Sequence, residues 1–180
     1  MIAPDNMMWD SAAPAAIPDD AQIVAPYCDG IYAWPELQLE RFRGRAKMLF
    51  VTVEGNPGAP CFDLEAGCCT VAEVVAGMHE RRRQGKPSVV YTYLDNWLPA
   101  ITELEAAGLT QPPAYWWIAH PAEQVSSSPL GVGFPPTSTF PALGKRLRAV
   151  GFQYAWGPPT GPTCYNLSAI DLATFPSVWA

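Results

Sequence analysis

The sequence is short of basic residues, of histidine and of long apolar runs, and each shortage removes a class of function. Eleven Lys and Arg against seventeen Asp and Glu leave a formal net charge of -6. Affinity for nucleic acid comes largely from cations that neutralise phosphates, so nucleic acid is not an expected partner. No stretch approaches the roughly 20 apolar residues that cross a bilayer, so a membrane is not expected either. His79 and His120 are the only histidines, and the five cysteines (Cys28, Cys61, Cys68, Cys69 and Cys164) are odd in number. Adjacent Cys68 and Cys69 are not a CxxC pair, and no metal knuckle can be assembled from these spacings. We therefore expect no metal and no other cofactor. Most of the cysteines read as small buried apolar residues, with one surface disulfide allowed. GxGxxG and P-loop patterns are both missing, which leaves nucleotide binding without support. The start, Met1-Ile2-Ala3-Pro4-Asp5, carries neither the basic nor the apolar region of a secretory signal, which predicts a protein made in the cytoplasm without a signal peptide.

What is present points to a single domain over residues 1–180. The sequence is 49% hydrophobic, enough for a sizeable core, and its 20 prolines are scattered rather than gathered, which suits many short, stiff connections. Eight short apolar runs bounded by turn residues read as strands. They are Met7 to Trp9, Ile23 to Cys28, Lys47 to Val53, Pro60 to Leu64, Ser88 to Tyr93, Tyr115 to Ala119, Phe152 to Trp156 and Cys164 to Leu167. The clearest helix begins at a Thr70/Glu73 capping box, carries Val71, Val74, Val75 and Met78 on one face, and ends in Arg81-Arg82-Arg83 before Gly85. A second runs from Asp95 as N-cap to Gly108. Shorter helical turns are expected over Glu36 to Arg43 and Ala142 to Ala149, and loops over 11–20 and 121–141. Apolar strands alternating with amphipathic helices imply a parallel sheet covered by helices. The α/β arrangement favoured for eight strands is a compact (β/α)8 TIM-like barrel with shortened later helices, and an open doubly wound sheet is the alternative.

The sharpest chemical feature is Cys61-Phe62-Asp63-Leu64-Glu65. Strand side chains alternate, so Asp63 and Glu65 point to one side with Cβ atoms roughly 6–7 Å apart. Glycoside hydrolysis needs such a pair, one carboxyl protonated to donate and another ionised to face the cationic sugar. Barrel enzymes place these groups at the C-terminal ends of strands, as here. Asp10, Asp29, Glu54, Asp95 and His120 fall at equivalent ends, and Gln153 and Asn166 lie within the last two runs. Of these, Asp10 is the strongest catalytic candidate, because a charge following Met8-Trp9 has few structural reasons to exist. Asp29, Glu54 and Asp95 read equally well as caps. Tyr32, Trp34, Tyr91, Tyr93, Trp97, Trp116, Trp117, Tyr154 and Trp156 gather at the same ends, where aromatic rings could stack on sugar faces, although at least half should be packing residues.

In order, Trp9-Asp10-Ser11, Phe62-Asp63-Leu64-Glu65, Pro87-Ser88-Val89-Val90-Tyr91, Tyr115-Trp116-Trp117-Ile118-Ala119-His120, Phe152-Gln153-Tyr154 and Tyr165-Asn166-Leu167-Ser168 span nearly the whole chain. Together they resemble the family 25 glycoside hydrolases, the lysozyme-like muramidases, and more closely the short hydrolase-like domains of actinobacteria and their tailed phages. The resemblance implies a (β/α) barrel that cleaves the β-1,4 bond between N-acetylmuramic acid and N-acetylglucosamine. It implies Glu65 as general acid, with Asp63 and Asp10 as its catalytic companions. Tyr32, Tyr91, Tyr93, Trp117, His120, Gln153 and Asn166 are the candidate substrate-binding residues. Where the family usually has a last-strand aspartate this sequence has Asn166, and an amide cannot supply negative charge to an oxocarbenium-like transition state.

Two functional expectations follow. One is a peptidoglycan-directed muramidase working without metal or cofactor at the bacterial cell wall. The other is a catalytically weakened barrel that serves as a phage virion structural protein or glycan-docking module, with peptidoglycan, another surface glycan or virion proteins as partners.

Overall fold

The structure is a computed structural model that describes residues 7–109, 114–119, 149–156 and 166–170. Its fold is mixed α/β. The strands are β1 (Met7–Asp10), β2 (Ile23–Ala25), β3 (Lys47–Met48), β4 (Val51–Thr52), β5 (Cys61–Asp63), β6 (Ser88–Tyr93), β7 (Ala114–Ala119), β8 (Ala149–Trp156) and β9 (Asn166–Ile170). They form one sheet in the order β3-β2-β1-β9-β8-β7-β6-β5-β4. Two parallel runs, β1-β2-β3 and β4 to β8, are joined by β9, which is antiparallel to both β1 and β8.

Each of the eight expected runs contains or overlaps a strand, but two expectations need correction. A uniformly parallel (β/α)8 pattern does not hold, because β9 reverses. Only residues 157–165 separate β8 from β9, fewer than the dozen or so that a parallel crossover requires. The run expected over Lys47 to Val53 is split into β3 and β4, yet its backbone bonding is continuous. Lys47, Leu49 and Val51 donate to the carbonyls of Gln22, Val24 and Pro26, each at 2.9 Å, and the Phe50 carbonyl accepts from Cys61 N at 3.1 Å on the other edge.

Alternation along the strands sorts side chains onto two faces. Met8, Ile23, Ala25, Leu49, Val51, Cys61, Val89, Tyr91, Trp117 and Ala119 pack together on one face. Phe62, Leu64, Val90, Trp116 and Ile118 face the other way, against two helices. Among the described residues the α-helices are α1 (Glu36–Glu40), α2 (Val71–Arg83) and α3 (Leu94–Ala106). Both halves of the Thr70/Glu73 capping box are formed on α2. Val74 and Met78 enter the core while Val71 and Val75 pack at its margin.

Asp95 is not the N-cap of α3. Strand β6 runs straight into the helix, so Tyr93 takes that position and Asp95 falls in the first turn. Gly85 and Gly108 end α2 and α3 at φ +68° and +70°, where a backbone of that hand suits glycine. The loop expected over 11–20 contains a 3-10 turn at Pro14–Ala16. The loop expected over 121–141 and residues 142–148 of the expected helical turn lie outside the described residues, and Ala149 begins β8.

Candidate active site

Three carboxyls meet where the parallel strands end. Asp10 is the last residue of β1 and Asp63 the last of β5, and each is 2% exposed. Glu65 lies two residues past β5 but keeps the strand's alternation. Leu64 between them donates from its N–H to Tyr91 O at 2.8 Å and turns its side chain into the helix-facing core. The turn that follows is closed by Cys68 N on Glu65 O at 3.0 Å and Cys69 N on Asp63 O at 2.9 Å.

Burial pushes the Asp63 carboxyl up to about 8, with the charges of Glu65 and then Asp10 adding to it and a hydrogen bond from Cys68 opposing. Glu65 is pushed up to about 7, again chiefly by burial; a hydrogen bond with Tyr91 acts against this and the charge of Asp10 adds to it. Among the described residues no partner reaches Asp63 Oδ1 or Glu65 Oε1. Unsatisfied buried acceptors are costly, and here both belong to the same acidic cluster.

One wall of the cluster is a buried polar chain. Gln153 Nε2 lies 3.2 and 3.3 Å from the two Asp10 carboxyl oxygens, and Tyr91 Oη donates to Gln153 Oε1 at 2.8 Å. The Trp117 ring sits 4.4 Å from the Tyr91 ring, and its Nε1 donates to Ser168 Oγ at 3.0 Å. Trp117 is only 1% exposed, its ring packed against Tyr91 rather than open at the surface.

The other expected residues divide. Tyr93 stands at the rim, half-buried, with Glu65 and Asp63 among the charges that raise its pKa after burial. Tyr32 is 39% exposed and packs its ring 5.6 Å from that of Tyr27. Asn166 is in strand register with Asp10, while its side chain lies outside the described ones. His120 lies outside the described residues. Asp29 has a structural task, accepting from Thr52 Oγ1 at 2.5 Å and Val53 N at 2.7 Å, and Glu54 is exposed. Trp34 is a packing residue whose Nε1 bonds Ser11 O at 2.8 Å, and Trp116 is buried on the helix side.

Two residues of the site were not anticipated. Tyr27 has its pKa raised by burial and then by Asp10, Asp63, Glu65 and Cys68, which places all four around it. Continuing the alternation of Ile23 and Ala25 by one step would have found it. Cys68, read as a small apolar residue, hydrogen bonds Asp63. No spacing rule announces this, since the turn after Glu65 brings it back. Cys28, Cys61, Cys68 and Cys69 are all free. Among the described residues no group of three or more His, Cys, Asp or Glu is arranged to hold a metal ion. Comparison with protein-family models, curated proteins and solved structures returns no match.

Proposed function

We propose that the chain is a closed, eight-stranded α/β barrel whose strand-end acids form a glycoside hydrolase site directed at peptidoglycan. Closure is supported by the two-sided bonding of residues 47–52, which lets β3 and β4 act as one strand at both ends of the sheet order. It is supported too by Leu49 and Val51 packing in one cluster with Met8, Val89 and Trp117. Open ends would separate those residues.

The observation that carries the function is the convergence of Asp63, Glu65 and Asp10, with two carboxyl groups raised and two carboxyl oxygens unpartnered. A general acid should keep its proton toward neutral pH, and burial pushes the Glu65 carboxyl up to about 7. It protonates the glycosidic oxygen as the bond to the anomeric carbon breaks. The resulting carboxylate then takes a proton from the water that completes hydrolysis. Asp10 faces the cationic sugar, while Asp63, whose carboxyl is pushed above that of Glu65 and stays protonated where Glu65 donates, steers the acetamido group by hydrogen bonding. Tyr93 and Tyr32 offer ring surface at the rim. The substrate class, the muramic acid to glucosamine β-1,4 bond, is taken from the motif resemblance, as is the setting at a bacterial cell wall or on a phage particle.

A second reading is favoured by Asn166, which stands in register with Asp10 where the resemblance leads us to expect an acid. It makes the chain a weakened hydrolase that docks glycan or builds a virion. The test is reducing-end release from purified peptidoglycan by wild type, Glu65→Gln and Asn166→Asp. Release lost in Glu65→Gln supports the hydrolase. An inert wild type with turnover gained in Asn166→Asp supports the docking role.

A further inference from the structure

We infer that the loop from Cys28 to Pro35 is a second, apolar subsite beside the acid cluster, in which Ile31 receives the methyl-bearing peptide arm that muramic acid carries on its lactyl ether. The inference rests on the peptidoglycan reading of the site and narrows it, since it makes the preferred substrate a glycan that still bears its peptides.

Among the described residues the large apolar side chains left exposed are Ile31 at 90%, Tyr32 at 39% and Leu37 at 77%. Single exposed apolar residues are ordinary, but these fall in one short stretch, where Ala33 and Pro35 are exposed as well. The loop that carries them is fixed at both ends. Cys28 N donates to Val51 O at 2.8 Å and Trp34 N to Tyr27 O at 2.9 Å, and the buried Trp34 indole donates to Ser11 O at 2.8 Å. Gly30 takes φ +67°, and a Cβ there would meet Val53 Cγ2 at 2.4 Å, so the backbone lies directly on the chain leaving β4. The 3-10 turn Gly30–Tyr32 thus presents Ile31 outward on a firm base. Its flanking acids are already engaged: Asp29 accepts from Thr52 Oγ1 and Val53 N, and Glu36 pairs with Arg43 at 2.8 Å. The loop therefore offers apolar surface between acids that are already paired.

Strand register puts this surface beside the acids. Ala25 is paired with Asp10. Tyr27, two residues further on, bridges Val51, whose partner Cys61 stands two residues before Asp63. Tyr27 and Tyr93 both pack against the cluster that holds Tyr91 and Trp117, and the Tyr27 ring lies 5.6 Å from that of Tyr32. Exposure rises from half-buried Tyr27 through Tyr32 to Ile31, so the series leads outward from the cleft. A tyrosine ring stacks on the C–H face of a pyranose. A branched aliphatic side chain has neither a ring face nor a hydrogen-bonding group, and its complement is a methyl group brought out of water. In a muramyl glycan, the group that carries methyls and also extends away from the sugar backbone is the lactyl ether with the alanine-containing peptide beyond it.

The test is a 13C NMR titration of the full chain carrying Glu65→Gln, used so that the ligand is not turned over. The ligands are soluble muramyl tetrasaccharides that keep their peptides, and the same fragments after an amidase has removed them. The Ile31 δ1 methyl reports the loop and the Tyr93 ring reports the acid cluster. With peptides present, both signals move at one midpoint. Without them only Tyr93 moves, and binding is about tenfold weaker, the loss of one aliphatic contact. Adding Ile31→Ser, at a side chain too exposed to hold the fold, erases that tenfold preference. An Ile31 methyl that stays still while Tyr93 moves, or that moves equally for both ligands, overturns the inference and leaves the hydrolase reading standing. So does a methyl that shifts with protein concentration alone, which would make the loop a contact between two copies. Fragments that move neither signal remove the peptidoglycan reading and the inference with it. Turnover is not read here, so an inert wild type with the expected shifts removes only the assignment of Glu65 as the acid.

Discussion

A Cβ placed on Gly77 would lie 2.3 Å from Cε1 and 2.6 Å from Cζ of Phe62, so α2 rests its backbone directly on the helix-facing side of β5. Phe62 immediately precedes Asp63 on β5, with its side chain on the opposite face of the strand. Alanine is the better helix former by roughly 1 kcal/mol, but the added methyl must displace a ring that is 0% exposed. Overpacking of this kind costs about 1–3 kcal/mol. Gly77→Ala should lower the thermal midpoint despite its propensity, as a melting curve will show. An unchanged or raised midpoint would mean that α2 stands off from β5.

Arg81 is expected to matter far more than its neighbours. It is 4% exposed, and burial lowers its pKa. Its Nε and Nη2 donate to Pro87 O at 2.9 and 2.7 Å, and Nη1 reaches Pro57 O and Gly58 O at 3.3 and 3.4 Å. One side chain thus ties the turn before β5 to the start of β6. Arg81→Met keeps the apolar stem but strands those carbonyls, at a cost of roughly 2–4 kcal/mol. Arg83→Met removes an exposed pair with Glu80 and should change stability by no more than about 0.5 kcal/mol. Equal denaturant midpoints for the two variants would refute the distinction.

Much of this was legible in the sequence where physics is local. The strand Ser88 to Tyr93 matches its expected bounds because β-branched and aromatic residues run without interruption between Pro87 and the helix. The capping box and the capping glycines act within a few residues of themselves. Asp10, Asp63 and Glu65 were found because strand ends and period-two alternation are readable. Arg81 could have been found as well, since Val74, Gly77 or Met78, and Arg81 recur at helical spacing on the buried face. The reversal of β9 was readable too, from the shortness of its connection to β8. The polar chain was not. Its contacts join residues 62 and 143 positions apart, and partner identity at that range is set by the tertiary fold rather than by any local pattern.

Stability should fall as pH rises. Asp63 and Glu65 have folded values of about 8 and about 7 against ordinary values of 3.8 and 4.5. Both hold protons more tightly when folded, so their contribution is fully present below about pH 4 and is lost as pH climbs through 7 and 8. Asp63→Asn removes the larger part of this loss. Its thermal midpoint at pH 8.5 should exceed that of wild type by several degrees, at about 2–4 °C per kcal/mol for a chain of this size. The gain should vanish near pH 4. A wild-type midpoint that is level from pH 5 to 8.5 would show that the carboxyls are not held as described.

The most direct test is the pH profile of reducing-sugar release from purified peptidoglycan, for wild type beside Glu65→Gln. We expect wild-type kcat/KM to fall as pH rises through about 7, where Glu65 loses its proton. We expect Glu65→Gln to lose about 100-fold or more in rate, as removal of a general acid does. A wild type that releases no sugar at any pH, or a Glu65→Gln variant that keeps the wild-type rate and profile, would contradict the assignment of Glu65 as the acid of a glycoside hydrolase.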